Sequence, residues 1–254
     1  MNLLMIATVT FASCTECPKE TRDFLNIPTD VKCDMIKWKL DMSDNGTYQL
    51  SGQWGYYVNN STWTKQGELV DPAGSWKMDG DVCTLMSKNR TLQLLKLDDN
   101  IFQIIDKDKK IVPGGAGFAN TFNRVNPVRD KSIDFNPGNT AIQQEIELTG
   151  RTPLKPFDKL LGIVDNEDHD KIKWLIKLHA NGTMEMRRTL EHIADYKGTW
   201  TVSDNVYKLD FEKRTLYLLK ASDDVYYFMN PEDGLLVGNH EFGMSLIRRV
   251  PSGR

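Results

Sequence analysis

The chain has 254 residues, 40% of them hydrophobic and 26% charged, which suits folded cores and leaves room for two domains of ordinary size. A formal net charge of -3 offers no basic excess, so a nucleic-acid partner held through its phosphates is excluded as the main activity. Leu3 to Ala12 form too short an apolar run to span a bilayer as a helix, which takes roughly 20 residues.

The opening stretch MNLLMIATVTFASCTEC has the length of a secretory h-region followed by small residues. Ala12 and Ser13 stand directly before Cys14, which resembles the lipobox of bacterial lipoproteins. That resemblance implies a signal peptide over 1–14, lipidation of Cys14, a polar tether over 15–28 and attachment to a membrane through the lipid. The other reading of the same residues is an N-terminal core strand. A lipidated Cys14 leaves Cys17, Cys33 and Cys83, from which a Cys33–Cys83 bridge is one pairing that spacing alone does not derive.

Further along, the chain repeats itself. IKWKLDMSDNGTYQL at 36–50 matches IKWLIKLHANGTMEM at 172–186, and GSWKMDGDVCTL at 74–85 matches GTWTVSDNVYKL at 198–209. NRTLQLLKLDDNIFQIID at 89–106 then matches KRTLYLLKASDDVYYFMN at 213–230, and FNRV at 122–125 matches LIRRV at 246–250. Between the first two blocks, copy one is longer across GYYVNNSTWTKQ.

Short runs rich in β-branched and aromatic residues, separated by turn sequences, predict antiparallel strands at 34–42, 47–57, 72–78, 81–87, 90–97, 100–106 and 118–125. The second copy predicts strands at 171–179, 182–190, 196–202, 205–211, 214–221, 224–230 and 243–250. Asn45-Gly46 and Asn181-Gly182 mark the first hairpin of each copy, because both residue types tolerate the positive φ of a tight turn. Trp38, Leu40 and Met42 alternate onto one face, as do Leu92 and Leu94. A meander of this many strands avoids open edges by closing on itself, so the expected fold is all-β, two tandem small antiparallel up-and-down (lipocalin-like) barrels. The expected boundaries are a first barrel over 29–126, a linker over 127–157 in which NTAIQQEIEL forms a short helix capped by Asn139 or Thr140, and a second barrel over 158–250.

The NGTY turn followed by the GxWxxDG block resembles the NlpE family of copper-homeostasis and envelope-stress lipoproteins, whose N-terminal domain is lipocalin-like. The resemblance spans both repeats and implies a noncatalytic lipoprotein of the bacterial envelope, on the outer membrane and facing the periplasm or the cell surface. Such a protein binds a small ligand or a partner protein in envelope stress or metal homeostasis. The family's Pro-Cys-x-x-Cys loop is absent: NIPTDVKCDMIKW retains Cys33 alone, so that sensing motif does not carry over.

Candidate site residues follow from the residues themselves. Trp54, Tyr56, Tyr57 and Trp63 flank the insertion found only in copy one, where a recognition surface is expected. Asp165, Glu167, His169 and Asp170 in DNEDHD combine imidazole with carboxylates, a metal-ligand chemistry and the basis of the alternative reading as a metal-dependent enzyme or metal-binding protein. The competing reading of that stretch is a solvated acidic turn. Met184 and Met186 share a strand face and read as core filler or as a thioether pair for Cu(I). The Asn-x-Thr triplets read as turn chemistry, paired Asp98-Asp99 and Asp223-Asp224 as hairpin geometry, and no cofactor is implied.

Overall fold

The computed structural model describes residues 8–15, 17–58, 62–68, 73–88, 90–114, 120–128, 145–161, 171–190, 192–232, 234–239 and 242–249. The chain divides into two compact units, each with its own sheet. The first carries β1 (Thr8–Thr15), α1 (Lys19–Leu25), β2 (Met35–Ser43), β3 (Thr47–Val58), β4 (Thr62–Glu68), β5 (Ala73–Asp79), β6 (Val82–Ser87), β7 (Arg90–Lys96), β8 (Ile101–Ile105) and β9 (Thr121–Arg124). The second carries β10 (Ile146–Pro153), a 3-10 turn at Lys155–Phe157, α2 (Asp158–Leu161), β11 (Lys171–Leu178), β12 (Thr183–Thr189), β13 (Ile193–Ser203), β14 (Val206–Phe211), β15 (Arg214–Lys220), β16 (Val225–Asn230), β17 (Gly234–Leu235) and β18 (Ser245–Arg248).

Both sheets are antiparallel, eight-strand and barrel-like, with sequence neighbours paired up and down around the ring, as expected. In the first, β2–β3 pairing joins the two ends of the run β2-β1-β9-β8-β7-β6-β5-β3, and β4 is added outside on β3. In the second, β15–β16 pairing joins the ends of the corresponding run. The two Asn-Gly hairpins are built alike. Gly46 and Gly182 both sit at φ 81°, and Asn45 and Asn181 each accept from the backbone N–H two residues on at 3.0 Å and from that residue's hydroxyl. The threonine of each triplet is thus part of the turn.

Besides the outlying β4 and β17, one strand within each barrel departs from the sequence expectation. The stretch assigned to a leader and tether is β1 followed by α1, and part of the assigned linker is β10. β1 pairs with β2 from Thr8↔Ser43 to Thr15↔Ile36 and with β9 at Phe11↔Arg124 and Ala12↔Asn123. β10 does the same between β11 and β18. The physical reason is closure: without this strand, a seven-strand meander leaves the N–H and C=O groups of two edges unpaired. Of the expected linker helix, 139–144 lie outside the described residues, and Ile146, Glu147 and Leu148 are strand.

Side chains fill the barrel interiors. Trp38 and Trp174, at equal positions in β2 and β11, are 3% and 2% exposed. Trp38 meets Phe122 with ring centroids 4.5 Å apart, and Trp174 meets Phe157 and Phe228 at 5.1 and 5.2 Å. Met184 and Met186 are buried in the second core, so they act as filler there. A short helical segment follows the first strand of each barrel and sends its apolar residues into the core: Phe24 and Leu25 from α1, Phe157 and Leu161 around α2. No helix among the described residues is long and apolar enough to cross a membrane.

Candidate binding site at the hairpin of the first barrel

The residues that lead from α1 into β2 form a tightly tied loop. α1 ends at Asn26, whose left-handed backbone (φ 57°) suits asparagine at a helix C-terminus. Arg22, in the last turn of α1, directs its guanidinium at four carbonyl oxygens: Nε to Cys17 at 3.3 Å, Nη1 to Pro28 at 3.0 Å and Val31 at 3.2 Å, and Nη2 to Cys33 at 3.3 Å. Its planar fork of five N–H donors suits such a fan of acceptors. The same loop is closed covalently by a Cys17–Cys33 disulfide, with Cα atoms 5.9 Å apart.

This corrects the Cys33–Cys83 pairing, because Cys83 points inward from β6, is fully buried and has a free thiol. Burial pushes that thiol's pKa up to about 12, which keeps it protonated at neutral pH. Breaking the disulfide with Cys17→Ser and Cys33→Ser together should lower the stability of the first barrel by about 2–4 kcal/mol, since the closed loop is 16 residues long. Urea unfolding of the oxidised chain and the double variant measures this, with the second barrel's transition unmoved.

The tied loop supports one end of the β3–β4 hairpin. Asp34 donates its N–H to the Gly55 carbonyl at 2.9 Å and accepts the Tyr57 N–H on Oδ2 at 2.9 Å. Lys32 donates to the Tyr57 carbonyl at 3.3 Å, and its ammonium lies 4.7 Å from the centre of the Tyr56 ring. From β2, the Lys37 ammonium lies 4.9 Å from the Trp63 ring centre. Cations over aromatic faces stabilise by about 0.5–1 kcal/mol each at accessible sites. Tyr57 and Trp63 are directly paired across the hairpin, and the Tyr57 hydroxyl reaches Met35 Sδ at 3.6 Å.

The hairpin also has a built-in bend. Register shifts between Trp54 and Gly55, so β4 contributes an extra residue there. Trp54 lies flat over Gly67, where a Cβ would come within 2.7 Å of the indole nitrogen. Glycine is therefore required at 67 for this ring to cover β4. The four aromatic residues expected to form a surface are thus gathered on one hairpin, all partly exposed, with Trp54 also packing against the barrel core. What sequence reading missed is the support beneath them: Lys32, Asp34, Lys37, Arg22 and the disulfide.

The second barrel lacks this extension. β3 has 12 residues and β12 has 7, and β13 runs unbroken from its pairing with β12 to its pairing with β14, where the first barrel divides that path between β4 and β5. The metal candidates Asp165, Glu167, His169 and Asp170 lie outside the described residues. Among the described residues, no group of three or more His, Cys, Asp or Glu side chains is placed to hold a metal ion. Cys14 lies in β1, its backbone opposite Lys37.

Comparison with protein-family models, with curated proteins and with solved structures finds no match to this chain. The likeness to the NlpE family therefore rests on the sequence blocks quoted above.

Proposed function

We propose that this chain is a binding protein of an oxidising, extracytoplasmic compartment, and that it engages a partner protein through the clasped aromatic hairpin of its first barrel. The observation that carries this reading is the asymmetry between two otherwise equivalent barrels. Only the first carries the β3–β4 extension, and there a disulfide, an arginine hub and two cation–aromatic contacts tie the loop and hairpin that present Trp54, Tyr56, Tyr57 and Trp63. Rigidly presented aromatic residues are the usual anchors of protein interfaces. The disulfide supports the compartment, because such bonds persist outside reducing cytosol.

The sequence blocks that resemble envelope lipoproteins support a setting in the bacterial envelope, with envelope stress or metal homeostasis as its context. Lipidation at Cys14 fits this architecture poorly: cleavage before Cys14 removes Thr8–Ser13, most of the eight-residue β1. The proposal therefore keeps β1 in the working protein.

A photo-crosslinking amino acid at Trp63, compared with one at Ile193 at the tip of the shorter hairpin, tests the reading in the source cells. Ile193 is 61% exposed and Trp63 is partly exposed, so both positions reach solvent. A discrete protein adduct is expected from position 63 and not from 193. Replacing 55–66 with an Asn-Gly turn should abolish that interaction while lowering the first barrel's stability by only about 1–3 kcal/mol. Adducts of equal yield at both positions, or none at 63, refute the proposal.

A further inference from the structure

At the end of the first barrel away from α1, the two repeats differ in a way that their shared framework makes informative. One constant offset carries Trp76 to Trp200, Cys83 to Tyr207, Lys96 to Lys220, Asp99 to Asp223, Phe102 to Tyr226 and Arg124 to Arg248. The framework is the same in both. Trp76 Nε1 donates to the Ser43 carbonyl at 3.0 Å, and Trp200 Nε1 donates to the equivalent His179 carbonyl at 3.0 Å. The Lys96–Asp99 ion pair at 2.5 Å is repeated as Lys220–Asp223 at 2.6 Å.

The filling is different. In the second barrel the Tyr207 ring stacks on Trp200 at 6.0 Å and meets Tyr226 edge-on at 5.4 Å. Trp200, Val202 and Val206 are all buried as a result. In the first barrel Cys83 replaces Tyr207, and its short side chain cannot cover the indole. Trp76 and Val82 become half-buried, and Met78, the counterpart of Val202, is 37% exposed. A groove of about 290 Å³ opens there, with Val9, Met42, Trp76, Met78 and Phe102 as its apolar wall. Arg124, the Lys96–Asp99 pair, Ser43 and Asp44 complete its lining.

We propose that this mouth is a binding site for a small amphiphile with an apolar body and a carboxylate head. The volume lies near the lower end of the range for ligand pockets, roughly 300–1,000 Å³, which limits the occupant to a short chain or a single ring. The apolar wall takes the body. The head is set by charge: Asp99 already neutralises Lys96, whereas Arg124 donates to the Asp99 carbonyl at 3.4 Å and has no carboxylate partner among the described residues. A guanidinium at the edge of an apolar groove favours a planar anion that it can hold through two parallel N–H bonds. In the second barrel Tyr207 occupies the equivalent mouth, against Trp200 and Tyr226.

Calorimetric titration of the full oxidised chain with octanoate, and with 1-octanol as the neutral comparator, tests the site. One saturable octanoate site per chain is expected. Arg124→Gln should weaken octanoate by about tenfold and leave octanol unchanged. Cys83→Tyr should abolish both, and Tyr207→Cys should add a second octanol site. Should Cys83→Tyr fail to fold, Arg124→Gln and Tyr207→Cys still decide the matter. Absence of saturable octanoate binding overturns the proposal, as does affinity unchanged by Arg124→Gln. The chain shortened at 55–66 should bind octanoate normally, which separates this site from the hairpin.

Discussion

A chain that begins at Thr15, lacking β1, is expected to lose the cooperative unfolding transition of its first barrel while keeping that of the second. β1 is paired on both sides, along β2 from Ile36 to Ser43 and with β9. Its removal leaves two strand edges unpaired and opens a gap beside Trp38, Leu40 and Phe122, which are now buried. A domain's entire margin of stability is about 5–15 kcal/mol, and loss of one strand in eight from a closed ring exceeds what such a margin tolerates. Calorimetry of the two chains should show two heat-absorption peaks for the full chain and one for the shortened chain. Retention of both peaks would restore the reading of residues 1–14 as a removable leader. The same result bears on maturation, because a protein that needs β1 is expected to show no palmitate label that depends on Cys14.

The second large effect is expected from Phe157→Ala. Phe157 is fully buried and occupies the end of the second barrel, where its ring meets Trp174 at 5.1 Å and Phe228 at 4.8 Å in edge-on contacts. Truncation removes both contacts and leaves a cavity that strands tied into a barrel cannot collapse to fill. Phe→Ala substitutions in such cores cost about 3–5 kcal/mol, and this one should fall toward the upper value. Urea unfolding should show the loss in the second transition alone. A change under about 1 kcal/mol would mean that the 3-10 turn and α2 relax into the space, and that they are not an integral plug.

These two experiments address the features that were respectively hidden and half-visible in the sequence. β1 was only the second reading of its residues, because TVTFASCT carries no clear alternation and sits where export signals sit; its pairing partners identify it. β10 was hidden because IELTGRTP contains a Gly and a Pro within a polar stretch. Gly150 is used because a Cβ there would meet the Ser245 carbonyl and the Leu246 side chain across the sheet. The role of Phe157 depends on the short segment after β10 turning back into the barrel, which no periodicity in so few residues announces. At the candidate hairpin, the aromatic residues were legible from the insertion, whereas the lysines that support them and the arginine hub were not. Contacts such as Lys37 over Trp63 join residues on different strands and follow from register.

The sequence by itself determined the duplication, the all-β class, the paired Asn-Gly hairpins and the inward faces of the long strands. These are local properties: a turn needs φ > 0 within two residues, and a half-buried strand needs apolar residues at every second position. Only the tertiary structure decided that an eighth strand closes each barrel, that Cys17 rather than Cys83 bonds Cys33, and that one barrel mouth is filled and the other open. Each of these depends on which groups meet across the ring. Closure is a requirement of the whole sheet, a disulfide needs Cα atoms about 4.4–6.8 Å apart whatever their sequence spacing, and an indole is covered only where a facing side chain is long enough to reach it.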